Sequence, residues 1–211
     1  KVNKVTFTGS VETGRRVYQA AAEKLIPVTL ELGGKSPMIV MGDAELDKAV
    51  DGAIAGMRFT RQGQSCTAAS RIFVHDSLHD AFVAALAKRV DQLKMGDPLD
   101  EATDIGTIIS EEQQAKVLDY IRMGEATAGA KALKCSQLPA QEKLRNGLFV
   151  QPVIFTGIPN DHRLCQEEIF GPVTCVVRFR DYEDALAEAN DSSFGLAATV
   201  WTTNLKTALD A

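Results

Sequence analysis

Short strand-like and helix-like segments alternate along this chain, and that alternation limits the folds it can adopt. The opening KVTFTG has the alternation and β-forming residues of a strand, and the alanine-rich stretch after Ser10 predicts a helix. Further strand-like segments follow, most of them separated by helical patterns: VTLELGG, PMIVM, RIFVH, FVQPVIFTG, PVTCVVRF and AATVWT. This order favours an α/β fold with a largely parallel sheet, whose sites usually form at the carboxyl ends of strands.

Two further predictions concern the middle of the chain. Ser110 and Gln113 have the spacing of a capping box at the start of a helix. The polar segment KALKCSQLPAQEKLRNG, residues 131–147, is predicted to be a surface excursion.

Composition excludes several classes of partner. Of the 211 residues 45% are hydrophobic, which is enough for a sizeable core, and the net charge is −5 with basic residues scattered among acids. Neither nucleic acid nor an anionic membrane is an expected partner. No apolar run approaches a membrane span, and the start of the chain does not resemble a signal peptide.

The cysteines and the ends of the chain are also informative. Four widely spaced cysteines without a CxxC pair indicate neither a metal site nor a disulfide framework, so a reducing, cytoplasmic location is expected. The chain starts without a methionine, directly in a strand-like segment, and stops within a helical pattern. We therefore expect it to be a piece of a longer protein.

One cysteine lies in an unusual setting, the polar loop RQGQSCTAAS. Gly63 permits a sharp turn before Cys66, and the small residues after it, 67–69, leave room above the sulfur for a substrate. A cysteine in a polar loop is also often incidental. The loop alone leaves open whether Cys66 is a nucleophile.

A thiolate that attacks a carbonyl needs an oxyanion donor and a base for a later water. The three histidines, His75, His79 and His162, occupy positions that predict ordinary solvated side chains. Glu31 ends an apolar strand, where partial burial would strengthen it as a base. The alternative is that Glu31 is a solvated turn residue.

Two more segments have a functional and a purely structural interpretation. Gly9 and Gly14 frame GSVETG between a strand and a helix, where backbone N–H groups can hold a phosphate, although the spacing is not GxGxxG and the glycines can serve geometry alone. QEEIFGP, residues 166–172, places two acids before Phe170 and a Gly-Pro turn. These acids can equally be solvated side chains beside a core aromatic.

Together the four stretches FTGS with a following TG, ELGGKSP, GQSC and EEIFGP, in this order and at these separations, closely resemble the aldehyde dehydrogenase superfamily. The match around GQSC includes Phe59, which stands where the family's cysteine signature has an aromatic or aliphatic residue. The resemblance covers the whole chain.

The resemblance implies a role for each motif. It implies that Cys66 is the nucleophile and that Glu31 is the general base for the deacylating water. It also implies a set of cofactor contacts: Gly9 and Ser10 at the pyrophosphate turn, Glu168 on the nicotinamide ribose hydroxyls, Phe170 beside that ribose and ring, and Gly14 and Leu32. The cofactor implied is NAD or NADP, and no metal is expected.

The family also implies an organisation. Residues 1–32 correspond to the last strand-helix-strand of a Rossmann-like cofactor domain, and residues 33–211 to a C-terminally truncated catalytic domain. The family's oxyanion asparagine, the lysine at its adenosine ribose and its subunit-pairing hairpin fall outside this chain. We therefore expect the segment alone to be inactive and the full-length protein to be a homodimer or homotetramer.

The sequence thus predicts NAD(P)-dependent oxidation of a small-molecule aldehyde to a carboxylic acid through a thiohemiacetal and a thioester on Cys66. Because coenzyme A-acylating relatives typically lack the base, Glu31 favours hydrolysis as the final step. Two alternatives stay open. A cysteine hydrolase would use the same nucleophile without a dinucleotide but would want a histidine partner, and a non-catalytic relative would keep only the fold.

Overall fold

The computed structural model describes residues 2–211. Its helices and strands alternate along the chain, as the sequence predicts, with β5 and the short helix α5 as elements that were not predicted. The strands are β1 (Val5–Thr8), β2 (Val28–Glu31), β3 (Pro37–Val40), β4 (Arg71–His75), β5 (Lys131–Lys134), β6 (Val153–Thr156), β7 (Val173–Phe179) and β8 (Thr199–Trp201). The α-helices are α1 (Val11–Ala22), α2 (Leu46–Met57), α3 (Asp76–Asp91), α4 (Glu111–Glu125), α5 (Arg163–Gln166), α6 (Tyr182–Asn190) and α7 (Leu205–Asp210).

The first two strands form a small parallel sheet of their own. β1 pairs with β2 from Val5 opposite Val28 to Thr8 opposite Glu31, and α1 connects them. Ser10 caps α1 because its side chain accepts the Thr13 N–H at 3.2 Å. This unit coincides with the predicted residues 1–32, whose assignment to a cofactor domain stays a prediction.

The other six strands form one sheet in the order β5-β6-β7-β4-β3-β8. Every neighbouring pair is parallel except β5 with β6, which confirms the predicted α/β fold with a largely parallel sheet. β5 itself was not predicted, because its KALK segment lies within the polar stretch expected to be a surface excursion. It is an edge strand with exposed lysines at both ends, a pattern that keeps such an edge from pairing further.

Helices cover both faces of the six-stranded sheet. Ile72 and Val74 of β4 belong to a buried cluster with residues of α2 and α3, including Ala53 and Leu86. Phe73, between them, points to the opposite face and packs with residues of α6. Because successive strand side chains alternate between faces, a strand buried on both sides has a continuous apolar run, here the IFV at the centre of RIFVH.

The amino ends of β3 and β4 are joined by a buried arginine. The Arg71 guanidinium is 1% exposed and donates to the carbonyl of Lys35 at 3.1 and 3.0 Å and to that of Ala189 at 2.8 Å. It thereby holds the segment before β3 against the end of α6. This segment continues from the ELGG turn, so Arg71 helps to fix the position of that turn.

Two features are absent from the described residues 2–211. None of their helices is both long and apolar enough to cross a membrane. No group of three or more histidine, cysteine, aspartate or glutamate side chains in that part of the chain could hold a metal ion.

Candidate active site

A cavity of about 540 Å³ lies between the small parallel sheet and the loops that precede β4 and β7. It brings together six of the eight predicted site residues and adds others. Its lining consists of Thr8, Gly9, Ser10, Leu32, Gly33, Gln64, Ser65, Cys66, Gln113, Lys116, Glu168 and Phe170. The motifs that are far apart in sequence therefore converge on one cavity.

The cavity corrects one expectation about where a site forms. Gly9 and Leu32 do follow the carboxyl ends of β1 and β2, as expected for a parallel sheet. Cys66 and Glu168, however, precede β4 and β7, so they lie at the amino ends of strands of the large sheet. The cavity is lined by loops adjoining two different sheets, which the general rule for a single open sheet does not cover.

The loop that carries Cys66 is tightly wound. Arg58, Gln62 and Gly63 have positive φ angles of 59°, 57° and 62°, and they bracket a short 3₁₀ turn at Phe59–Arg61. The Ala68 N–H then donates to Ser65 O at 3.2 Å and closes a turn around Cys66. Unusual backbone angles of this kind concentrate at functional sites.

The Cys66 side chain is partly exposed and lines the cavity. Within residues 2–211 its backbone N–H has no hydrogen-bond acceptor, whereas the Thr67 N–H is directed to the Ser65 hydroxyl at 3.4 Å. A free N–H next to a nucleophile is the group needed to stabilise an oxyanion.

The two glycines of ELGG allow the loops to come together. A Cβ built on Gly34 would overlap the carbonyl oxygen of Cys66, and one built on Gly33 would overlap the Glu168 carboxylate. The Gly34 N–H donates to Glu168 Oε1 at 3.1 Å. The turn after β2 is therefore in contact both with the loop that carries Cys66 (the Cys66 loop, residues 61–70) and with the loop that carries Glu168 (the acidic loop, residues 167–172).

The Cys66 loop and the acidic loop also contact each other directly. A Cβ built on Gly63 would overlap the carbonyl oxygen of Gly171, and one built on Gly171 would overlap Val117 of α4. Phe170 has a φ of 57°, which few non-glycine residues adopt. The EEIFGP segment is thus closely packed at Gly171 and has a strained backbone at Phe170.

Six cavity residues were not among the predicted site residues: Thr8, Gly33, Gln64, Ser65, Gln113 and Lys116. The Gln113 amide donates to the carbonyls of Ile169 and Phe170, each at 2.9 Å, so its side chain does not turn back to its own helix start. Only half of the predicted capping box is seen, the Gln113 N–H donating to Ser110 Oγ at 3.2 Å. The one sequence signal for Gln113 was this box, which gave no indication of the cavity.

Two predicted residues do not line the cavity. Gly14 lies in α1 directly against Leu32, where a Cβ would overlap that side chain, so it supports the lining indirectly. Glu31 is exposed, not partly buried as expected, although its carbonyl accepts the Gly9 N–H at 3.0 Å. Its side chain points away because Leu32, the next residue, is the one that faces the cavity.

The expectation of three solvated histidines is wrong for His79. It is 7% exposed, and its Nδ1 lies 3.0 Å from Asp80 and 2.9 Å from Arg178. His75 and His162 instead cap helices through their ring nitrogens, accepting from Ser77 N at 3.2 Å and from Leu164 N at 3.1 Å. No histidine of residues 2–211 lines the cavity.

The other three cysteines are buried. Burial raises the pKa of the Cys135 thiol to about 11. A hydrogen bond with the Cys175 thiol lowers the pKa of Cys165, and the same hydrogen bond, with burial, raises that of Cys175. Cys66 is the one cysteine of the described chain that combines solvent access with a place in the cavity.

The chain is similar to known proteins of one family over its whole length. The family model described as "Aldehyde dehydrogenase family" matches residues 1–211. A protein named betaine aldehyde dehydrogenase from Brucella anthropi is 45% identical over 202 residues, which are 96% of this chain and 41% of that protein.

Solved structures give the same result for the fold. An NAD⁺ complex of aldehyde dehydrogenase from Bacillus cereus matches with a TM-score of 0.89 and 42% identity, covering 99% of this chain and 41% of that one. A putative aldehyde dehydrogenase from Burkholderia cenocepacia matches with a TM-score of 0.93 and 38% identity, covering 99% and 42%. The chain thus spans about two fifths of the length of the relatives it matches.

Proposed function

Because this chain belongs to the aldehyde dehydrogenase family, we propose that it supplies the nucleophile and much of the nicotinamide site for oxidation of an aldehyde to a carboxylic acid. The observation that carries the proposal is the single cavity shared by Cys66, Glu168, Phe170 and the Gly9–Ser10 turn. A reaction between a thiol-bound substrate and a dinucleotide requires such proximity.

Cys66 is the proposed nucleophile. Its sulfur attacks the aldehyde carbon to form a thiohemiacetal, and the oxyanion that develops accepts a hydrogen bond from the free Cys66 N–H. A bound nicotinamide dinucleotide supplies the acceptor for the hydride whose loss turns this adduct into a thioester. The turn at residues 65–68 holds Cys66 in the lining of the cavity.

The residues present fit a nicotinamide dinucleotide. Glu168 offers a carboxylate that can accept from two vicinal hydroxyls, and only its Oε1 is engaged, by the Gly34 N–H. Phe170 and Leu32 supply apolar surface, and Gly9 and Ser10 form the turn at the start of α1, where backbone N–H groups favour a phosphate. The cavity volume of about 540 Å³ is within the range of small-molecule sites.

Glu31 is the proposed general base for hydrolysis of the thioester. Its side chain is exposed, and the next residue, Leu32, lines the cavity. The role requires the side chain to rotate toward Cys66 or to act through one intervening water. In this proposal, release of the product as a free acid depends on Glu31. Substitution of Glu31 therefore tests the hydrolytic step.

The domain assignment is part of the proposal. We assign residues 1–32 to the end of a cofactor domain and residues 33–211 to a catalytic domain, and we expect full activity from a native polypeptide that carries both domains in full. Such a polypeptide is proposed to assemble as a homodimer or homotetramer. The assignment is supported by the separate β1-β2 sheet and by the two-fifths coverage of the relatives.

The test is nicotinamide reduction by that native polypeptide with a panel of aldehydes. The panel contains betaine aldehyde, since several similar relatives carry that name, and unbranched aldehydes of graded length, each with NAD and with NADP. Aldehyde-dependent reduction supports the proposal. Thioester or ester hydrolysis without dinucleotide, combined with no aldehyde-dependent reduction, would instead indicate a cysteine hydrolase. Absence of both activities would indicate a protein that keeps only the fold.

A further inference from the structure

Two side chains of α4 donate hydrogen bonds to three successive backbone carbonyls of the acidic loop. Lys116 Nζ donates to Glu168 O at 2.9 Å, and Gln113 Nε2 donates to Ile169 O and to Phe170 O, each at 2.9 Å. The carbonyls belong to the segment that carries two proposed cofactor contacts. The backbone of this segment is therefore fixed from α4 and not by strand pairing.

The segment needs such support because Phe170 is in a strained conformation. Its φ of 57° lies in the left-handed region, which costs a non-glycine residue on the order of 1–3 kcal/mol and persists only when its surroundings enforce it. Two of the contacts that enforce it come from a single side chain, Gln113. Without them, Phe170 would be expected to relax toward ordinary backbone angles.

Gln113 has no donor left for a ligand. A glutamine amide carries two N–H groups, and the structure directs one to each carbonyl. The residue therefore lines the cavity while its hydrogen-bond donors point into the protein. Its position is that of a support for the neighbouring Phe170.

The segment just before α4 and the helix itself also contact the Cys66 loop and its neighbour. The Ile109 N–H donates to Gln64 Oε1 at 3.0 Å, two residues before Cys66, and Val117 fills the space at Gly171. Displacement of this helix start would affect both loops. The two amide contacts of Gln113, however, act on the Phe170 side alone.

We propose that Gln113 is a positioning residue, which holds Phe170 in its left-handed conformation and, through it, keeps the Glu168 carboxylate in place for a dinucleotide. The catalytic part of this inference rests on the proposed function. The structural part does not, because it concerns the conformation of residues 168–171 in the protein without any ligand.

The first experiment measures amide hydrogen exchange of the peptide covering residues 167–171. Gln113→Met keeps the length of the side chain and removes both donors, and Gln114→Met is the matched control. Gln114 neighbours it on α4 and donates to Phe149 O at 3.1 Å, but it does not line the cavity. Faster exchange in Gln113→Met alone supports the inference, and equal exchange in the two variants overturns it, whether or not the protein binds a dinucleotide.

The second experiment measures steady-state kinetics of the native polypeptide. Gln113→Met is expected to raise KM for the dinucleotide about tenfold, as loss of two hydrogen bonds implies, with little change in KM for the aldehyde. Gln114→Met should leave both values near those of the wild type. If the wild type oxidises aldehydes and the two variants have the same KM for the dinucleotide, the positioning role is wrong. If the wild type itself is inactive, the proposed function fails and the exchange experiment alone decides the inference.

Discussion

The carbonyl oxygen of Cys66 lies so close to Gly34 that no side chain fits between them. Gly34 follows the end of β2 by three residues, whereas Cys66 lies in the loop before β4. The contact therefore joins the small parallel sheet to the Cys66 loop. It explains why a glycine is needed at this position, although its backbone angles do not require one.

Gly34→Ala is expected to displace the Cys66 loop. Relief of the overlap requires a shift of backbone, which typically costs about 1–3 kcal/mol of stability and displaces Cys66 from its place in the cavity. We expect a melting temperature lower by several degrees and a loss of activity larger than the loss of folded protein. Thermal unfolding and kcat of the native polypeptide measure the two effects.

Gly195→Ala is the control for that substitution. A Cβ at Gly195 meets no atom within 4 Å, and its φ is not positive. Stability and activity should stay within error of the wild type. Equal behaviour of the two variants would show that the contact with Cys66 has no importance.

The four thiols are expected to differ sharply in reactivity. In the folded chain at pH 8, iodoacetamide should modify Cys66 first, because the other three are buried and the pKa of Cys135 is raised to about 11 by burial. Peptide mass spectrometry against time measures the order. In concentrated urea all four should react at similar rates, and preferential labelling of Cys135 in the folded protein would contradict the structure.

Lys35 is expected to destabilise the folded chain at neutral pH. It is 2% exposed, its Nζ has no hydrogen-bond partner among residues 2–211, and burial lowers its pKa from 10.5 to about 8. Below about pH 8 Lys35 is protonated in both the folded and the unfolded chain, so the folded state is destabilised by the full desolvation of the charged ammonium group. Between about pH 8 and 10.5 only the unfolded chain binds it, so stability rises with pH there.

Lys35→Met should therefore increase the free energy of unfolding at pH 7, by on the order of 3 kcal/mol at most. The gain should shrink as the pH rises from 8 and vanish near 10.5. Urea denaturation across this pH range measures it, with the exposed Lys24→Met as control. A loss of stability at pH 7 would mean that Lys35 has a partner that residues 2–211 do not show.

Much of this site was predictable because its residues lie in short motifs. Cys66, Glu168 and Phe170 each lie within three residues of a glycine that permits close contact, and such local patterns are visible in one sequence. The alternation of elements likewise predicted a parallel sheet. The strand order was not predictable, because β4 lies between β7 and β3 and these neighbours are set by long-range packing.

The residues that were missed depend on contacts across the fold. Gln113 is 56 residues from Ile169 in sequence, and its spacing from Ser110 predicted only a local capping interaction. His79 was expected to be solvated because it lies in the first turn of a helix, but that turn packs against β7, where Arg178 meets it. The exposure of Glu31 follows from the strand alternation that directs Leu32 inward, which the apolar pattern alone did not resolve.

The central claim is that Cys66 carries the acyl group and that Glu31 releases it. Glu31→Gln keeps the side chain length but cannot take a proton from water, so the thioester should form and persist. Mixing the native polypeptide bearing this substitution with dinucleotide and aldehyde should give a burst of reduced nicotinamide of at most one per site, followed by slow turnover. If Glu31 also helps to deprotonate Cys66, the burst itself slows, and the covalent adduct is the firmer observable.

Mass spectrometry of the peptide that contains Cys66, taken during that reaction, is the most direct measurement. The account predicts a mass increase equal to the aldehyde minus two hydrogens, because an acyl group replaces the thiol proton. The adduct should be absent when the dinucleotide is left out and when Cys66→Ser is added to Glu31→Gln. Unmodified Cys66 together with wild-type turnover in Glu31→Gln would contradict the role of Glu31, and near-native turnover in Cys66→Ser would contradict the role of Cys66.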